Sequence, residues 1–140
     1  RGYWPHRRSP LASWIGGCPL DRLEHIFQLQ RKFDDELIHN RGLDYDLSTW
    51  LQKETLAIVA ELAELLNEVN FKWWKNPQPV DRERVKEELV DILHFFVSMC
   101  LKCDISPEEL YQGYLTKNQE NFRRQHGTSL RRGYEAPARD

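Results

Sequence analysis

Long apolar runs, strand-like alternation, paired cysteines and an excess of basic charge are all missing from this chain, and each absence removes a class of function. No apolar stretch reaches the roughly 18 to 20 residues that cross a bilayer. The nearest, LVDILHFFVSMCL at 89–101, is shorter and carries Asp91 and His94, so no membrane partner is expected. Lys and Arg number 20 against 22 Asp and Glu, which leaves no overall basic field to attract nucleic acid. The cysteines are Cys18, Cys100 and Cys103, an odd count that suits a reducing, cytoplasmic setting. Cys100 and Cys103 lack a second Cys or His pair at zinc-ligand spacing and read as small residues at the end of a buried helix. The stretch RGYWPHRRSPLASWIGGCP has basic residues but no sustained apolar core, so 1–19 reads as an irregular arm rather than a secretory signal.

What is present is helical. The chain of 140 residues is one domain by size, and no segment alternates with a strand period. Punctuation brackets the helices. Asp21 and Glu24 form a capping-box pattern ahead of a first helix that ends near Gly42, with Leu23, Ile26, Phe33 and Leu37 at helical spacing. Ser48 or Thr49 caps a second helix running to about Phe71. After the proline-marked loop KNPQPVD, a third runs from Asp81 to about Lys102. Ser106, Pro107 and Glu109 then open a fourth, ending near His126 and Gly127. The reading is all-α: an antiparallel bundle of four or more helices over 20–127, with an irregular tail at 128–140.

Carboxylates dominate helices two and three. At about 100° per residue, a buried face of helix two centred on Leu62 leaves Glu54, Glu61, Glu64 and Glu68 together on another stripe. With Leu89 as the centre of helix three, Glu88 and Asp91 take the angles that Glu61 and Glu64 hold. The segments ELAELL (61–66) and ELVDIL (88–93) echo each other. If the helices are antiparallel neighbours, four acids converge. Asp91 lies in a nearly all-apolar segment, and a buried carboxylate needs a cation or donors. Arg84 and His94 lie within a helical turn of Glu88 and Asp91, but neither neutralises four acids. Oxygen ligands without thiols suit Mg²⁺, or Mn²⁺.

Mg²⁺ held by carboxylates usually meets a phosphate, and YLTKNQENFRRQHG offers partners for one. Lys117, Asn121 and Arg124 share a helix face, with Asn118 and Gln125 beside it. An indole of the pair Trp73–Trp74 could stack on a base, or the pair could cap the core.

ELAEL and FKWWK, then EELVDILHF and YLTKNQENFRRQ, together resemble the all-α NTP pyrophosphatases (the MazG-like superfamily), and within it the dimeric dUTPases, over roughly 20–126. The resemblance implies a homodimer or higher homo-oligomer that hydrolyses dUTP, and dUDP, to dUMP with Mg²⁺. It implies that Glu61, Glu64, Glu88 and Asp91 bind metal, with Glu61 or a neighbouring acid such as Glu64 orienting the attacking water. Lys117, Asn118, Asn121 and Arg124 match the phosphate and deoxyribose motif. Trp74 and Gln30 match residues beside the base. Asp34 stands where the family usually has an Asn, and its carboxylate presents acceptors only. Gly133–Tyr134 lies further along than the family's Gly-Tyr. The expected activity is Mg²⁺-dependent dUTP hydrolysis. The alternatives are a MazG-like pyrophosphohydrolase of broader or different base preference, and a non-catalytic helical oligomerisation module.

Overall fold

The computed structural model describes residues 21–131; the arm at 1–19 and Tyr134 lie outside them. Four helices and no strand occur among the described residues: α1 (Arg22–Arg41), α2 (Leu47–Glu68), α3 (Arg82–Lys102) and α4 (Pro107–Gln125). Local chemistry sets their ends. Asp21 caps α1 by accepting from the Leu23 amide at 3.1 Å, and Gly42 closes it in the left-handed region at φ 59°, where a Cβ would be strained. Ser106 and Glu109 complete the capping box of α4, with Pro107 opening the helix. The cap of α2 is Asp46, not Ser48 or Thr49: its carboxylate takes the Thr49 amide at 2.8 Å. A charged acceptor bonds an orphan helix N–H more strongly than a hydroxyl does. The same helix stops at Glu68, short of Phe71, because Asn70 turns left-handed at φ 58°. The Asn70 side chain then donates to the Gln78 carbonyl and accepts from its amide, both at 2.8 Å, which ties down the proline loop.

Helices α2 and α3 pack antiparallel. Glu54 meets Ser98, Glu61 lies beside Asp91, and Glu68 meets Arg84. Each step of seven residues forward on α2 is thus a step of seven back on α3. Helix α1 packs on α3, where Phe27, Val97 and Cys100 form the buried cluster, with Leu23, Leu101 and Leu110 against it. Cys100 is therefore a core residue, as its place at the end of an apolar helix suggests. Helix α4 packs on α1, its backbone keeping clear of α2 and α3 while Leu110 near its start lies against the Phe27–Val97–Cys100 cluster.

The apolar faces differ from expectation. Leu62 and Leu89, placed at the centres of buried faces, are 44% and 52% exposed, and Phe33 of α1 is also exposed. Leu66, Val90, Leu93 and Phe96 lie open as well. The most enclosed α2 residue is instead Glu54. One chain covers the edge of α3 that holds Val97, Ser98 and Cys100 and leaves most of the α2–α3 apolar surface to water.

Candidate active site

The seven-residue register turns one glutamate stripe into three levels. At the outermost, Glu68 pairs with Arg84 at 3.7 Å across the helices. Seven residues inward, Glu61, Glu88 and Asp91 form a group in which one oxygen from each lies within 4.8 Å of the others, all half-buried. Glu64 is exposed and stands outside that group, but its charge acts on it. Partial burial, followed by repulsion from Glu64 and Asp91, raises the Glu61 carboxyl above its ordinary range. Glu88 is raised in the same way, by desolvation and then by Glu64, Glu61 and Asp91. No described lysine or arginine pairs with Glu61, Glu88 or Asp91. Three hard oxygens that repel one another, spaced like ligands across a small coordination sphere, fit Mg²⁺.

That repulsion has a measurable sign. Both glutamates bind a proton more tightly folded than unfolded. They cost nothing at low pH, where both states are protonated. Stability is lost as pH rises from the ordinary glutamate range through the raised folded value, and the full cost stands at neutral pH. Glu109 and Glu120 are lowered by hydrogen bonds from Ser106 and Ser129 and act oppositely, so the cluster must be isolated by substitution. Glu88→Gln should raise the Tm of the EDTA-treated protein at neutral pH, with the gain shrinking as pH falls. A lower Tm at neutral pH would mean that the cluster is not under repulsion.

The innermost level is a buried polar network. Ser98 Oγ lies 2.6 Å from Asp34 Oδ2 and 2.7 Å from Glu54 Oε1. Lys102 Nζ donates to Glu54 Oε1 and to Ser98 Oγ, both at 2.7 Å, and reaches Asp34 Oδ2 at 3.5 Å. Its ammonium also sits 4.5 Å over the Trp50 ring, a cation–π contact. Gln30 donates to Asp34 Oδ1 at 2.8 Å and meets His94 Nδ1 at 2.7 Å through its oxygen. A cavity of about 630 Å³ between α1, α2 and α3 joins the two inner levels, reaching Glu61 and Asp91 at one end and Asp34, Glu54, Ser98 and Lys102 at the other. Phe33, Trp50 and Phe95 contribute aromatic wall.

Of the residues picked out in the sequence, Gln30, Asp34, Glu61 and Asp91 line this cavity, and Glu88 joins the acid group beside it. Trp74 does not line it; it lies in the loop after α2, 59% exposed, with its ring edge-on to Phe71 and Trp73. Lys117, Asn118, Asn121 and Arg124 are carried by α4, away from α2 and α3. Lys117 and Arg124 border a separate cavity of about 790 Å³ with Arg123 and Arg131, and Arg124 pairs with Glu120 at 3.2 Å. Trp50, Glu54, Ser98 and Lys102 are the site-lining residues to which the sequence reading gave no role. The available signals were the seven-residue step from Glu54 to Glu61 and the i, i+4 pairing of Ser98 with Lys102.

A family model described as dUTPase matches residues 22–110, spanning α1, α2, α3 and the start of α4. A dCTP pyrophosphatase of Enterobacteria phage LZ5 is 34% identical over 53% of this chain and 43% of its own length. A dCTP pyrophosphatase of Enterobacteria phage T4 is 29% identical, over 57% of this chain and 61% of its own. The chain thus spans about half the length of these curated relatives. No solved structure matches significantly.

Proposed function

The chain belongs to the dUTPase family of all-α nucleotide pyrophosphohydrolases, and from that premise we propose that it hydrolyses a deoxynucleoside triphosphate to the monophosphate and pyrophosphate. The observation that carries this reading is the cavity that runs from the acid group to the buried polar network. Glu54 and Glu61, which both line it, are seven residues apart on α2, roughly 10 Å, a spacing that suits a nucleoside with its phosphates at Glu61 and Asp91. Glu61, Glu88 and Asp91, with Glu64 nearby, would hold Mg²⁺. The ion, when bound, offsets charge on the phosphate oxygens and makes a bound water more acidic.

The chain's own groups do the rest. A carboxylate of Glu61 or Glu64 orients the attacking water and takes its proton as the new P–O bond forms. The bridging oxygen departs with pyrophosphate or the monophosphate, according to the phosphorus attacked. Lys117, Asn118, Asn121 and Arg124 are suited to phosphate and sugar oxygens. Because the backbone of α4 keeps clear of α2 and α3 of its own chain, these residues would reach the acids from a second copy. The open apolar surface around Leu62, Leu66, Leu89 and Leu93 gives that copy a place to dock, which supports a homodimer.

The names of the two phage relatives, together with Asp34 where the resemblance leads one to expect an Asn, favour a base preference other than uracil over dUTP. Pyrophosphate release from each dNTP and NTP, with Mg²⁺ and with EDTA, tests the assignment. Turnover of at least one dNTP that EDTA abolishes is expected. No turnover of any nucleotide would sink it and leave a helical oligomerisation module as the better description. No helix among the described residues is long and apolar enough to cross a membrane.

A further inference from the structure

We propose that Glu54, together with Asp34, Ser98 and Lys102, reads the base, and that this group selects a nucleobase bearing an exocyclic amine, cytosine among the pyrimidines. The inference rests on the cavity being a nucleotide site and deepens that reading by assigning the residues that set its specificity.

Asp34 and Glu54 bring four carboxylate oxygens, which only accept when ionised. Facing them are one amide hydrogen from Gln30, the single hydroxyl hydrogen of Ser98, and the ammonium of Lys102. Ser98 stands within hydrogen-bond range of both carboxylates, yet its one proton serves one of them at a time. Lys102 spends one hydrogen on Ser98 itself and points its charge at Trp50. The result is a surplus of acceptors. It is visible at one atom: Glu54 Oε2 is buried with no hydrogen-bond partner, on a side chain only 8% exposed. A buried acceptor left unpaired carries the full cost of its lost hydration. Glu54 lines the cavity while this oxygen is closed to solvent, so a ligand there supplies the missing donor as the carboxylate turns toward it.

The edge that fits is set by that surplus. The 4-amino group of cytosine donates, and carboxylates are the side chains that accept from it. Uracil places a carbonyl oxygen at the same position, so lone pairs would face lone pairs. The spacing agrees as well. Glu54 and Glu61 are seven residues apart, roughly 10 Å along a helix, about the length of a nucleoside. A base held at Glu54 therefore leaves its phosphates at the acid group. Arranged this way the site rejects the wrong base by unpaired polar groups, which discriminates far better than shape.

The test is calorimetric binding of dCMP, dUMP and N4,N4-dimethyl-dCMP in Mg²⁺, to the wild-type chain and to Glu54→Gln. The wild type is expected to bind dCMP about tenfold or more tighter than either of the others. The dimethyl compound keeps the ring and loses the N4 hydrogens but adds two methyl groups, so dUMP, with an oxygen of similar size at that position, is the comparison that isolates the hydrogen bond. Glu54→Gln replaces an acceptor with a donor that suits the uracil carbonyl, so the dCMP-to-dUMP ratio should fall by about tenfold. Equal binding of dCMP and dUMP, a preference for dUMP, a dimethyl compound as tight as dCMP, or no binding of any overturns the proposal. So does a ratio unmoved in a folded variant. If Glu54→Gln does not fold, the ligand comparison on the wild type decides alone. Binding is read without turnover, so a chain that fails to hydrolyse nucleotides can still pass or fail this test.

Discussion

Asp91→Asn is expected to lower pyrophosphohydrolase activity by at least about a thousandfold, since losing a ligand for the ion that offsets phosphate charge removes several kcal/mol of transition-state stabilisation. The fold should survive. Asp91 contributes repulsion that raises both Glu61 and Glu88, so in EDTA the variant should melt no lower than the wild type. With Mg²⁺ the order reverses, because an ion that binds only the native state stabilises it by mass action and the variant forfeits that gain. Activity within tenfold of wild type, or a Tm lowered equally with and without Mg²⁺, would show that Asp91 serves the packing rather than a metal.

The same variant can report which chain brings α4 to the acids. Lys117 is exposed on α4, whose backbone keeps clear of α2 and α3 of its own chain. On the proposal that Lys117 takes a phosphate oxygen from a second copy, Lys117→Ala should also be poorly active. Co-expressed with Asp91→Asn, it should recover a substantial fraction of turnover, because a mixed dimer holds one acid group and one Lys117 that are both intact and face each other. Two lesions that fail to complement would place the acids and Lys117 of a working site on the same chain.

How much of this was readable in the sequence depends on the range of the interaction. Helix ends are local, so Asp21, Gly42, Asp81 and the Ser106–Glu109 box stand where the sequence puts them. The exception, Asp46, was one of several capping side chains within four residues, and chemistry rather than position chose it. The acid pairs were also legible, because Glu61, Glu88 and Asp91 repeat at matching depth on two helices. The exposure of Leu62 and Leu89 was not: an apolar stripe shows that a face will be covered, not whether the cover belongs to the same chain. Nor could periodicity divide the glutamate stripe. Glu54, Glu61 and Glu68 share one helix angle, and only their partners Ser98, Asp91 and Arg84 on α3 make the first a buried polar contact, the second part of an acid group and the third an ion pair.

Lys102 is where that division should have its largest effect on stability. Its side chain is 13% exposed, and its ammonium is the only described cation paired with either Asp34 or Glu54, whose side chains are 12% and 8% exposed. Lys102→Met keeps the aliphatic stem and removes the charge, and with it the contact of the ammonium with the Trp50 ring. Two buried carboxylates would then have only the Ser98 hydroxyl and the Gln30 amide to share. Breaking a buried pair from one side typically costs about 3–5 kcal/mol, which for a domain of this size is a fall in Tm of roughly 10 to 20 °C. Adding Glu54→Gln to Lys102→Met should recover much of the loss, because the second change removes the charge the first left exposed to a low dielectric. Non-additivity of that kind is what coupling within one network produces. A Lys102→Met chain that melts within about 2 °C of wild type would mean that water reaches Asp34 and Glu54 freely. The unpaired Glu54 oxygen would then be hydrated, and it would no longer distinguish a base that donates from one that accepts.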